Sequence, residues 1–278
     1  MLQLMRLGVV PFGTALLAVV SADEPALNLI DLPALNPDMA TLRRTVAAYR
    51  PHLQELLEGE FQIKLLAIYA YPAQVLFCTN KFDGLGGLAG RRVRTSSVGQ
   101  SEMMSALGAS PVVMPFAQVV SAISQGTVDC AITGTLSGDE IGLSNVTSYI
   151  YPMAISWGLS VFGANMAAWA ALPEDLRATL QSGLGDLEAK IWAAADRETT
   201  EGLACDTGAR GCGPTHHAGH MTLVPISPED EALRQRLLRS AVLPDWLKRC
   251  GADCLHTWDE TVGPALGITL PATQVGGQ

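Results

Sequence analysis

The segment 88–138, LAGRRVRTSSVGQSEMMSALGASPVVMPFAQVVSAISQGTVDCAITGTLSG, alternates strand-like and helix-like patterns, and that alternation restricts the chain to an α/β fold. Arg92-Val93-Arg94-Thr95 reads as a short strand, followed by Ser96, Ser97 and Gly99, residues suited to a turn or a helix entry. Met103, Met104 and Leu107 recur at helical spacing until Gly108, a residue that ends helices because it tolerates left-handed backbone. Pro111 to Pro115 is extended and apolar, and Val119, Val120 and Ile123 predict a second helix that stops near Gly126. Val128 to Ile132 predicts a buried strand, and Thr133 to Gly138 a polar loop. Such alternation builds right-handed βαβ units on parallel strands, and ligands of these sheets gather at the strands' carboxyl ends. Arg94 and Thr133 fall at two such ends.

Elsewhere the pattern is coarser. Leu42, Val46, Tyr49, Leu53, Leu56 and Leu57 predict an amphipathic helix that Pro51 breaks or restarts. Ile63–Tyr71 and Gln74–Cys78 read as buried strands, and 150–162 as an apolar, aromatic, strand-like stretch. Leu176, Leu180, Leu184, Leu187 and Ile191 form a stripe at helical spacing, with Pro173 suited to the first turn. Ser227-Pro228-Glu229-Asp230 opens a further helix with a capping-box pattern.

The formal charge of −9 with 18 Lys+Arg, never in a basic run, excludes a nucleic-acid partner, which needs clustered cations. Beyond the N-terminus no run of about 20 apolar residues suits membrane insertion, despite a mean hydropathy of +0.23. Four of the six cysteines form close pairs, Cys205/Cys212 and Cys250/Cys254, in loop-like surroundings that fit disulfides and an oxidising compartment. Local bridges within each pair are the simplest connectivity, with cross-pairing the alternative. Zinc held by Cys205, Cys212, His216, His217 and His220 competes, although C-x6-C departs from the short spacing of structural zinc sites. Cys78 and Cys130, each in a buried strand, read as inert core thiols.

Four ordered motifs carry a family resemblance: Leu88-Ala89-Gly90-Arg91-Arg92-Val93-Arg94, Ala106-Leu107-Gly108-Ala109-Ser110-Pro111-Val112-Val113-Met114-Pro115-Phe116, Gln125-Gly126-Thr127-Val128-Asp129, and Trp169-Ala170-Ala171-Leu172-Pro173. Over roughly residues 1 to 200 the chain resembles the DctP-like solute-binding subunits of tripartite ATP-independent periplasmic (TRAP) transporters. The resemblance implies an α/β, two-lobed clamshell of the periplasmic-binding-protein type, with mixed sheets and a long connecting helix. Its expected divisions are 1–92 for a first lobe and 93–172 for a second. Residues 173–278 then supply the long helix and a helical, disulfide-bearing region packed across both. It also implies a small organic carboxylate as ligand, TRAP permease subunits as partners, and a periplasmic location.

Two readings of the N-terminus stand. Residues 1–22 resemble a secretory signal, with one arginine, an apolar run and a Val20-Ser21-Ala22 end. The family comparison instead makes Gln3–Leu7 a helix, Gly8 its cap and Thr14–Ser21 a buried strand, with the signal upstream and the first lobe incomplete.

In the family, the arginine at the position of Arg94 pairs with the ligand's carboxylate, a role suited to a planar, permanently charged two-donor fork. Arg91 and Arg92 are read as surface cations. A second arginine of many relatives is replaced here by Gln74, and a frequent asparagine by Thr133. Both changes favour a monocarboxylate with a less polar body over a dicarboxylate. Phe116 aligns with a cleft aromatic. Tyr69, Tyr71 and Trp157 are candidates for the apolar wall, with core packing the competing role for each. No G-x-S-x-G, H-E-x-x-H, P-loop or correctly placed G-x-G-x-x-G occurs, so neither an enzyme nor a cofactor is expected. The alternatives are a periplasmic ligand-sensing protein and, less favoured, a Cys/His zinc-dependent hydrolase.

Overall fold

A computed structural model describes residues 1–216 and 218–270. Its strands are β1 (Phe12–Leu16), β2 (Ile63–Tyr69), β3 (Gln74–Cys78), β4 (Arg92–Thr95), β5 (Ser110–Val113), β6 (Cys130–Gly134), β7 (Tyr149–Ser156), β8 (Ser160–Asn165) and β9 (Thr222–Leu223). They form a three-stranded sheet, β1-β8-β2, and a six-stranded sheet, β5-β4-β6-β3-β7-β9. Both neighbours of β8 run antiparallel to it. β4 lies parallel to β5 and β6, whereas β3 is antiparallel to β6 and β7. The result is a two-lobed clamshell with mixed sheets.

The chain changes sheets between β2 and β3 and returns between β7 and β8. The sheets therefore interleave the sequence: β3 belongs with β4 although it precedes residue 92, and β8 belongs with β1 although it precedes residue 172.

The helices are α1 (Leu2–Arg6), α2 (Leu17–Val20), α3 (Met39–Phe61), α4 (Val98–Ala106), α5 (Val119–Ser124), α6 (Thr135–Glu140), α7 (Met166–Ala170), α8 (Glu174–Thr207), α9 (Pro228–Leu237), α10 (Leu243–Cys250), α11 (Ala252–Glu260) and α12 (Val262–Leu266). Side-chain caps set several starts: Asp38 accepts from the Thr41 N–H, Ser97 from the Gln100 N–H, and Ser227 forms a reciprocal box with Asp230. α3 runs unbroken through Pro51, contrary to the expected interruption. Tyr49, Leu53 and Leu57, all buried, hold it by tertiary packing, which overrides the cost of a lost helical hydrogen bond.

Other expectations shift locally. The N-terminal strand ends at Leu16 and gives way to α2, and the loop expected from Thr133 becomes the end of β6 followed by α6. The leucine stripe of α8 is largely solvent-facing at Leu176, Leu180 and Leu187; the helix buries Trp192, Ala195, Gly202 and Cys205 instead.

α8 straps both sheets. Trp192 Nε1 donates to the Ile68 carbonyl of β2 at 2.7 Å, and Glu188 accepts from the Ile68 N–H and from Arg50. Further along, Thr199 Oγ1 accepts from the Ala73 N–H, and Gly202 lies against the backbone of Thr135 and Leu136, where a Cβ would collide.

Cys205–Cys212 and Cys250–Cys254 are bridged locally. Cys78 and Cys130 are not free thiols: they sit opposite each other on β3 and β6 and form a third disulfide. The strand patterns hid this because pairing depends on register between strands 52 residues apart. His216 Nδ1 lies 3.0 Å from Asp139, and Cys205 and Cys212 are consumed by their bridge, so the zinc alternative loses those ligands; His217 lies outside the described residues.

Beside that bridge Asp206 is fully buried, and neither carboxylate oxygen has a hydrogen-bond partner among the described residues. Burial, reinforced by Asp139, pushes its pKa up to about 8. The folded state thus holds a proton that the unfolded chain releases near the ordinary carboxylate range. That stability contribution is complete below about pH 4 and is lost as pH rises through about 8. Asp206→Asn is expected to flatten this slope and raise Tm at pH 8, as read by thermal denaturation across pH 4–8. Separately, Cys78→Ala/Cys130→Ala is expected to cost about 4 kcal/mol in denaturant unfolding, the loop-closure value for a ring of that length.

Candidate functional site

A cavity of about 260 Å³ opens where the chain changes sheets. The crossings contribute Tyr71, Gln74, Ser156 and Gly158; the three-stranded side contributes Leu16, Ala18 and Asp31; the other side contributes Arg94, Ser96, Gln100, Phe116, Thr133 and Ser137.

Arg94 is placed by register. It pairs with Val112 of β5 and Ala131 of β6 near the carboxyl end of a parallel trio. Its side chain is only 4 % exposed, yet it reaches carbonyls rather than carboxylates: Nε and Nη2 donate to Met114 at 3.2 and 3.1 Å, and Nη1 donates to Ile132 at 2.7 Å. Of five guanidinium N–H groups, this leaves one on each Nη. Among the described residues no carboxylate pairs with it. Burial without an anion lowers its pKa to about 10, so it remains cationic at neutral pH. Arg92 instead pairs with Asp129, and Arg91 covers the Phe82 ring, both outside the cavity.

Around this cation the wall is polar on one side and aromatic on the other. Gln74 Nε2 donates to the Pro72 carbonyl at 3.0 Å. Gln100 accepts from Ser96 and donates to Ser156 at 2.9 Å. The Thr133 and Ser137 hydroxyls have no hydrogen-bond partner among the described residues. Tyr71 and Phe116 stand 46 % and 43 % exposed.

Trp157 is not part of this wall. It is buried, and its indole N–H donates to the Asn36 carbonyl at 2.9 Å, which is the core-packing role. Tyr69 stacks on Phe162, likewise away from the cavity. Arg94, Gln74, Phe116, Thr133 and Tyr71 do come together.

Asp31, Ser96, Gln100, Ser137 and Ser156 escaped the sequence reading. Asp31 had a legible signal: a lone acid inside the apolar run Ala26-Leu27-Asn28-Leu29-Ile30-Asp31-Leu32. It ends a 3-10 turn, and its carboxylate accepts from the N–H groups of Trp157, Gly158 and Leu159 at 2.7, 2.8 and 3.2 Å. Burial outweighs those bonds and raises its pKa to about 6.

Larger depressions exist, including one of about 450 Å³ lined by Arg43, Arg50, Glu188 and Trp192. Its cations are committed, Arg50 to Glu188 and Arg43 to the Trp192 face. The smaller cavity holds, at strand carboxyl ends, a buried cation that no carboxylate of the described residues pairs with.

A family model for bacterial extracellular solute-binding proteins, family 7 (DctP), matches residues 1–204. The chain belongs to the DctP family. No curated protein matches it significantly. Among solved structures, an extracytoplasmic solute receptor of Bordetella pertussis binding pyroglutamic acid is 24 % identical; the match covers 93 % of this chain and 82 % of that one, with a TM-score of 0.79. A TRAP periplasmic solute-binding protein from Desulfovibrio salexigens with bound orotic acid is 17 % identical over 95 % and 83 % of the two chains, at 0.81. The periplasmic ectoine-binding protein of the TeaABC TRAP transporter of Halomonas elongata is 15 % identical over 95 % and 84 %, also at 0.81. At these identities the likeness is one of fold, and it is the clamshell. No described helix is long and apolar enough to cross a membrane.

The Asp31 environment is directly measurable. Its carboxyl carbon is expected to titrate near 6 by NMR, rather than in the ordinary carboxylate range.

Proposed function

We propose that this DctP-family protein is the substrate-binding subunit of a TRAP transporter, acting in the periplasm. It captures a small organic monocarboxylate between its lobes and delivers it to a membrane permease, without chemical turnover. The observation that carries this reading is Arg94: a buried guanidinium oriented by two carbonyls, with, among the described residues, one N–H free on each Nη and no anion paired with it. A ligand carboxylate supplies the missing charge, and a two-oxygen acceptor suits the fork. Gln74 and Thr133 add polar reach but no second cation, which disfavours dicarboxylates. Tyr71 and Phe116 offer apolar cover at the mouth. Structural neighbours whose bound molecules are pyroglutamic acid, orotic acid and malonate support a carboxylate as the ligand class. Closure follows from differential contact: ligand favours the closed form only through bonds made better there than in the open one.

A thermal-shift screen with a carboxylate panel tests this on wild type and Arg94→Ala. Ligand at about 100 times its Kd is expected to add roughly 2.7 kcal/mol to wild-type stability. In Arg94→Ala the affinity is expected to fall by about 2–5 kcal/mol, the usual loss when one partner of a buried charge pair is removed. An equal shift in both proteins excludes Arg94 as the anchor.

A further inference from the structure

Among the described residues two charged side chains line the cavity, and they have opposite sign: Arg94 and Asp31. A ligand carboxylate answers only the first. Asp31 is nearly enclosed, and its three backbone donors occupy three of a carboxylate's roughly four acceptor positions. Two of those donors bind Oδ2 and one binds Oδ1, so the unfilled position lies on Oδ1. A second carboxylate on the ligand would meet no cation here and would face an anion in a poorly hydrated space. An N–H donor on the ligand meets an acceptor instead.

We propose that the ligand carries one carboxylate and one N–H donor on a compact frame, with Arg94 taking the carboxylate and Asp31 the N–H. This rests on the carboxylate-binding reading above and narrows it to ammonium or amide N–H acids. The cavity's size agrees, since about 260 Å³ lies just below the usual range for small-molecule sites. So does its net charge for an ammonium acid, whose own pair leaves neither Arg94 nor Asp31 uncompensated; an amide N–H acid neutralises Arg94 and offers Asp31 a hydrogen bond alone. The free hydroxyls of Thr133 and Ser137 are then available to the ligand's remaining oxygen atoms. Asp31 has a second duty in the β7–β8 crossing, so its effect on specificity must be separated from its effect on folding.

Isothermal titration of wild type at pH 7.5 with three five-membered-ring acids and one open-chain diacid of similar size makes that separation. L-Pyroglutamate supplies an amide N–H, L-proline an ammonium, cyclopentanecarboxylate neither, and glutarate a second carboxylate. At least one nitrogen acid is expected to bind ten-fold or more tightly than cyclopentanecarboxylate, with glutarate weakest; which one wins identifies the nitrogen type. In Asp31→Asn, checked for folding by circular dichroism, that ratio is expected to shrink to within about three-fold. Cyclopentanecarboxylate binding as tightly as both nitrogen acids, glutarate binding most tightly, or a ratio preserved in folded Asp31→Asn overturns the proposal. The wild-type ratio decides the matter even where the variant does not fold. Arg94-dependent binding of cyclopentanecarboxylate alone, or of other panel carboxylates but none of these four, removes this inference and leaves the carboxylate reading intact, whereas no binding by any carboxylate of the panel removes both.

Discussion

The Asp31 carboxylate holds the place where the two sheets exchange strands. Three consecutive N–H groups, of Trp157, Gly158 and Leu159, converge on it just as β7 hands over to β8. Without such an acceptor these donors would be buried with no ladder partner, at a cost of about 1–3 kcal/mol each. Gly158 takes a φ of +71° there, a conformation that side chains with a Cβ disfavour. The crossing also seats Trp157, whose indole ties it to the Asn36 carbonyl. One acid thus fixes a return path of the chain, and the cavity forms beside that path.

The six-stranded sheet supplies a wall whose dimensions are set by covalent and hydrogen-bonded ties. Gln74 and Thr133 lie on β3 and β6, the strands that the Cys78–Cys130 bridge joins. Arg94 lies on the next strand, β4, and is oriented by carbonyls of the chain following β5 and of β6. The polar face is therefore organised before any ligand arrives, which lowers the ordering cost of binding. α8 adds a strap, touching β2 through Trp192 and α6 through Gly202.

Local chemistry explains what was readable in the sequence. The βαβ block placed β4, β5 and β6 because its periodicities are short-range, and Arg94 and Thr133 followed from their positions at strand ends. Ser227 and Asp230 announced a helix start that depends on four residues alone. What stayed hidden is non-local. The Cys78–Cys130 bridge, the continuity of α3 through Pro51 and the burial of Trp157 each depend on what another part of the chain places opposite them. The exposed leucines of α8 make the same point in reverse, since helical spacing shows a stripe without showing whether anything covers it.

Tyr71 and Phe116 leave nearly half of their surface in water at the cavity mouth. A ligand that covers these rings removes aromatic area from solvent, and the thermodynamic record of that removal is a negative heat-capacity change. The enthalpy of capture then grows more favourable with warming while its entropy grows less so. Affinity varies far less than either component, because the two trends largely cancel. Rings covered in this way leave the strength of binding buffered against temperature.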